Sequence, residues 1–82
     1  MSKAWYLREY EDKPYLHNIV VSAKEYTKKL PSHDHCELCW ARFSLHPNDH
    51  HFGYFDSDSE SWICVDCFQE LSNLFGWTTE QQ

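Results

Sequence analysis

The chain has no apolar run approaching the roughly 18 residues that a membrane-spanning helix needs, so nothing in it reads as a membrane span. Its opening, Met1-Ser2-Lys3-Ala4-Trp5-Tyr6, holds no long apolar stretch and no cleavage pattern of a secretory leader. A reducing, cytoplasmic setting is therefore the expectation. Basic residues are also scarce: seven Lys and Arg stand against 13 Asp and Glu, for a net charge of −6. A chain this acidic repels phosphate backbones, which argues against nucleic acid as a partner. The same charge suits another protein with a basic patch. Finally, no cysteine stands outside two matched pairs.

Those pairs are Cys36-Glu37-Leu38-Cys39 and Cys64-Val65-Asp66-Cys67, separated by 24 residues. Two residues between cysteines let both thiolates of a pair face one point. Two pairs supply the four sulfurs of a closed tetrahedral zinc site. Disulfides would require an oxidising compartment, and a single redox pair would leave the second pair unexplained. An iron site of the rubredoxin type also takes four thiolates. Its knuckles usually carry Gly after the second cysteine, where this chain has Trp40 and Phe68. His33 and His35 precede the first pair and are the competing ligands for a Cys₃His set. With four thiolates available, they are expected to stand outside the first ring of ligands. The expected cofactor is one structural Zn²⁺ on Cys36, Cys39, Cys64 and Cys67. A chain of 82 residues reads as one domain whose core is marginal, and a metal is the staple such domains use.

The stretch Trp5–Tyr10 alternates in the manner of a strand, and Tyr15–Val21 reads as a second, so residues 1–31 are expected to open with a β-hairpin. Ser22-Ala23-Lys24-Glu25 matches a capping box, which predicts a short helix reaching Leu30 and stopped by Pro31. Residues 32–77 form the metal-binding module. Trp40–Phe43 is extended, and Pro47, Asn48-Asp49 and Gly53 mark a loop. Tyr54-Phe55 and Trp62-Ile63 flank an acidic spacer and read as a hairpin. The spacer lacks the Gly and final Glu of a calcium loop. The second cysteine pair opens a helix with Phe68, Leu71 and Phe75 on one stripe, Leu74 beside them, and Gly76 as its stop. Residues 78–82 read as a frayed tail.

Knuckle, hairpin and a helix carrying the second pair in its first turn: this order resembles a treble-clef zinc finger. The resemblance covers Cys36 to about Gly76 and implies a small α+β zinc-binding domain, here with an N-terminal β-hairpin and short helix. Treble clefs include protein-binding modules, nucleic-acid binders and nuclease cores, so the architecture leaves function open. Asp49-His50-His51 is similar to the Asp-His element of zinc-containing HNH nucleases, in which the aligned His is a general base beside a catalytic metal. The remaining elements of that family are missing: Glu60-Ser61-Trp62-Ile63 replaces its Asn-bearing element, and Phe68 follows Cys67 where it has Asn or His. A nucleic-acid-binding finger would have to assemble a face from Arg42, Lys28, Lys29 and Trp40.

The expectation is thus a non-enzymatic module that binds another protein. Fourteen Phe, Tyr and Trp residues exceed what so small an interior hides, and aromatic rings anchor interfaces. Trp40, Trp62 and Trp77, with His46, His50 and His51 of the loop, are the candidate partner-binding residues. Acidic residues 56–60 would steer a basic partner. Self-association is the simplest form of such an interface.

Overall fold

A computed structural model describes residues 4–79. Its elements are α1 (Ala4–Asp12), a 3₁₀ turn (Pro14–Leu16), β1 (Val20–Glu25), β2 (Asp34–His35), β3 (Arg42–Phe43), β4 (Phe52–Asp56), β5 (Ser61–Ile63), α2 (Val65–Phe75) and β6 (Thr78–Thr79). β5, β4, β1 and β6 form a mixed sheet in that order, and β2 pairs with β3 in a separate ribbon. The fold class is α+β, as expected, but the N-terminal third differs from its sequence reading.

The first expected strand is helix α1. Tyr6 and Tyr10, read as one face of a strand, are also four apart, and both pack onto the core from one side of the helix. Tyr10 stacks on His17 with ring centroids 3.9 Å apart and meets the Phe75 edge at 5.2 Å. Ion pairing of Glu9 with Lys13, one turn apart, supports the same period. The second expected strand begins late. Tyr15 and Leu16 belong to the 3₁₀ turn, and Asn18 then takes a left-handed conformation with φ 59°.

The expected helix after Ser22 is strand β1. Its residues Ser22, Ala23, Lys24 and Glu25 pair antiparallel with Phe55, Tyr54, Gly53 and Phe52. A four-residue capping signature loses here to Val20-Val21, which start the strand and pair in parallel with Thr78 and Thr79. That second pairing also corrects the reading of the C-terminus: Thr78 and Thr79 are a strand, while residues 80–82 lie outside the described residues. Trp77 locks the junction by donating from Nε1 to the Leu16 carbonyl at 2.7 Å.

The second hairpin and α2 follow expectation, whereas Gly53, read as part of the loop, pairs with Lys24 inside β4, and Trp40, read as extended, is left-handed with φ 69°. β4 and β5 pair as a hairpin through Tyr54–Ile63, Phe55–Trp62 and Asp56–Ser61. Its acidic turn is organised by Asp56, whose carboxylate accepts bonds from the Asp58 and Ser59 amides and from Ser59 Oγ at 2.6 Å. Asp56 is buried and shapes the turn from within. α2 buries Cys67, Leu71 and Phe75 and ends at Gly76 in a left-handed cap, with φ 76°. Leu74 lies at the exposed margin of that stripe. The core runs from Leu16, Val21 and Phe75 to Ile63 and Phe43, all fully enclosed.

Gly53 sits where the sheet meets Phe43. A Cβ there would stand 2.7 Å from Phe43 Cε2 and 2.8 Å from the Ile63 carbonyl oxygen. Both neighbours are fixed, one by burial and one by the β-ladder. Gly53→Ala should therefore destabilise the chain by about 1–3 kcal/mol through overpacking. The measurement is the denaturant midpoint of the metal-loaded protein, with the slope of the transition unchanged.

Candidate metal centre

The first cysteine pair sits at the turn between β2 and β3. His35 pairs with Arg42 across that ribbon, and the Cys36 amide donates to the Ala41 carbonyl at 2.8 Å. The Trp40 amide returns to the Cys36 carbonyl at 3.1 Å, closing a tight knuckle. The second pair begins α2. Cys64 is the N-cap residue, its Sγ accepting from the Cys67 amide at 3.5 Å, and Cys67 lies in the first turn. β5 brings the two pairs together, because the Glu37 amide donates to the Trp62 carbonyl at 2.8 Å, two residues before Cys64.

All four Sγ atoms lie within 4.8 Å of one another, and Cys39 and Cys64 are 3.6 Å apart at sulfur. Metal–sulfur bonds of about 2.3 Å in a tetrahedron place sulfurs about 3.8 Å apart, so the set fits one metal ion such as Zn²⁺. Backbone amides converge on the sulfurs as well: Leu38 and Cys64 both donate to Cys36 Sγ at 3.4 Å. Without a cation the set cannot ionise together. The Cys64 and Cys67 thiols donate to a Cys36 thiolate and hold it far below the ordinary thiol value. Their hydrogen bonds to that sulfur push Cys64 up to about 12 and raise Cys67 as well. A divalent cation removes this conflict by coordinating four thiolates. Among the described residues these cysteines are the one group of three or more His, Cys, Asp or Glu side chains arranged to hold a metal. His33 and His35 are not in it; their rings meet edge to face at 5.2 Å, beside the knuckle.

Trp40 is the residue that the sequence leaves ambiguous. It adopts φ 69°, the left-handed conformation that Gly supplies without strain. The lack of Gly at this position therefore carries no weight against iron at the first knuckle. The second pair is different in kind: Phe68, the residue directly after Cys67, is helical and not left-handed. Trp40 is also 65% exposed, whereas Trp62 and Trp77 are 4% and 5% exposed. Trp62 and Trp77 are core residues, which removes them from any partner-binding face. Trp62 packs between Phe43 and Tyr26, at 4.9 and 5.3 Å, and Trp77 stacks on Phe75 at 4.7 Å.

The loop His46–His51 is exposed at its histidines but internally bonded. Asp49 accepts from Arg42 Nε at 2.8 Å and from Ser44 Oγ at 2.6 Å. The Ser44 hydroxyl, aided by Arg42, holds its carboxyl below the usual range. His51 Nε2 lies 2.8 Å from the His46 carbonyl oxygen, and the His50 ring lies against Phe43 at 5.4 Å. Arg42 is thus spent on Asp49 and Lys28 on Asp34, which leaves Lys29 as the one expected basic-face residue without an ion pair among the described residues.

The N-terminal segment supports the knuckle in a way no local pattern announces. Lys13 Nζ donates to the Glu37 carbonyl at 2.7 Å, and Tyr15 OH donates to Glu37 Oε1 at 2.8 Å, across separations of 24 and 22 residues. Lys13 also lies 5.8 Å from the Trp40 ring centroid. Ahead of the knuckle, Tyr26 OH donates to Asp34 Oδ2 at 2.9 Å.

No protein-family model, curated protein or solved structure matches the chain. Among the described residues, no helix is long and apolar enough to cross a membrane.

Two outcomes are expected. Burial and the bond to Asp34 raise the Tyr26 hydroxyl to about 12 from its ordinary 10.0, and burial with the Glu37 bond does the same for Tyr15. A raised folded-state value means stabilisation that is complete below about pH 10 and lost as pH rises toward about 12. Tyr26→Phe should cost about 0.5–1.5 kcal/mol at neutral pH and flatten the alkaline decline, read as melting temperature against pH. Separately, elemental analysis should give one divalent metal per chain, and complete chelation should abolish the cooperative thermal transition. A metal-free chain that still melts cooperatively would overturn the metal's role in folding.

Proposed function

We propose that the chain is a non-enzymatic, treble-clef-like module, held by one structural zinc on Cys36, Cys39, Cys64 and Cys67, that binds another protein in the cytoplasm. The observation that carries the partner reading is Trp40. A large ring stands two-thirds exposed on a residue whose left-handed backbone costs about 1–2 kcal/mol relative to an ordinary conformation. The metal and β5 hold the knuckle beneath it, so the ring is presented from a fixed base. Exposed aromatics on rigid supports are the usual anchors of interfaces. Tyr15, also exposed, is tied to the same knuckle through Glu37 and extends the surface.

The alternatives find less support. Asp49, the acid of the nuclease-like element, is engaged by Arg42 and Ser44, and His51 by its own loop. A net charge of −6, made more negative by four thiolates around one divalent cation, opposes a nucleic-acid partner and favours a protein with a basic patch. Zinc is preferred over iron because the second pair caps a helix, the arrangement of a structural zinc finger.

The test begins with light scattering, which separates a monomer from a self-associating chain, and with recovery of the protein that co-purifies from the native cell. Trp40→Ala should weaken that association by about 2 kcal/mol, near thirty-fold, while leaving metal content and melting temperature within error. The association rate should fall as salt rises. Colourless protein with one zinc supports the cofactor. Red protein with thiolate-to-iron absorption overturns it, and plasmid cleavage with Mg²⁺ or Mn²⁺ that His50→Ala abolishes would establish the nuclease reading instead.

A further inference from the structure

We propose that Cys39 is a modification site: the sulfur at which hydrogen peroxide enters the metal centre, with Cys64 as the sulfur that resolves the sulfenic acid formed there. The inference rests on the metal reading above and is independent of any partner.

The four ligands are not equivalent. Cys36, Cys64 and Cys67 are 0%, 2% and 6% exposed, and Cys39 is exposed. Their hydrogen bonding divides them again. Cys36 Sγ accepts amide bonds from Leu38 and Cys64, and Cys64 Sγ accepts one from Cys67. Cys39 Sγ takes part in a sulfur–sulfur contact with Cys64 and in no amide bond recorded among the described residues. Amide bonds draw charge from a metal-bound thiolate and dull it as a nucleophile. Exposure and thiolate character together select the sulfur that oxidants reach first. Both point to Cys39, which opens to solvent beside exposed Trp40.

The partner for a second step is in place. Cys39 and Cys64 sulfurs are 3.6 Å apart and belong to different knuckles. Attack of the Cys39 thiolate on the peroxide breaks the O–O bond, giving a sulfenic acid and hydroxide. The Cys64 thiolate then attacks that sulfur, the S–O bond breaks, and a second hydroxide leaves. Two protons convert both hydroxides to water. In sum, two thiolates lose two electrons to one hydrogen peroxide and become a disulfide. Cys36 and Cys67 remain, and two thiolates do not complete a closed four-ligand site. Oxidation at one exposed atom thus releases the metal, and a thiol reductant with added metal restores it.

The experiment uses the intact, metal-loaded chain. Metal content is measured first. Half an equivalent of monobromobimane is then added and the labelled peptides are mapped; Cys39 should carry at least five-fold more label than any other cysteine. One equivalent of hydrogen peroxide should release metal to a chromogenic chelator together with formation of a Cys39–Cys64 disulfide, seen by peptide mass, and dithiothreitol with zinc should reverse both. Protein that purifies without metal overturns the reading beneath the proposal. Metal-loaded protein labelled evenly, labelled first at a buried cysteine, or oxidised to Cys36–Cys39 or Cys64–Cys67 overturns the proposal alone.

Discussion

Four sulfur atoms gathered within 4.8 Å repel one another as thiolates, and the fold cannot relieve that repulsion by moving them apart. The knuckle is closed by its own amide bonds, and Cys64 is fixed as the cap of α2. Water is excluded from three of the four sulfurs. A cation at the centre turns mutual repulsion into four attractive contacts, and it does so where hydration competes poorly. The hairpin and α2 are arranged to keep that geometry, and the remaining elements are fastened to them.

The fastening is mostly backbone to backbone. β5 lies between β4 and the knuckle, so that Trp62 pairs with Phe55 on one edge and carries the Glu37 amide on the other. Burying Trp62 seals the joint, with Phe43 and Tyr26 against it. The N-terminal helix and turn reach the same knuckle through Lys13 and Tyr15, and the sheet through Trp77. Much of the aromatic excess in the sequence is consumed by this sealing, which leaves Trp40 as the exposed tryptophan among the three whose side chains are described.

Legibility in the sequence followed the range of the interactions. The metal ligands, the β4–β5 hairpin, α2 and its Gly76 stop were readable because their signals are local: spacing of two, a polar turn, a stripe at helical period, a residue suited to positive φ. The N-terminal third was not. Tyr6 and Tyr10 satisfy either period, and the deciding contacts are with His17 and Phe75. Ser22–Glu25 carries a helix-start signature, yet its backbone partners are β4, some 30 residues on. Thr78-Thr79 is too short to read as a strand from its own residues and becomes one because Val20-Val21 offers an edge. At the candidate site, Glu37, Lys13 and Tyr15 escaped notice for the same reason. Composition counts aromatic rings without saying which ones the interior takes, and it takes Trp62 and Trp77.

The parallel pairing of β1 with β6 has a topological effect. Trp77 and Leu16 meet across 61 residues, so the segment between them is one large loop drawn shut at its neck. Inside it lies a smaller loop, closed where the Cys64 amide meets Cys36 Sγ across 28 residues. Closing a loop costs entropy that rises with the logarithm of its length, and an inner crosslink shortens the outer one. Metal capture therefore reduces the chain that must still be ordered before its two ends can meet. The sheet joins Val20-Val21, just inside that neck, to Thr78-Thr79, so the two-residue strand β6 acts as a clasp on the segment enclosed between them.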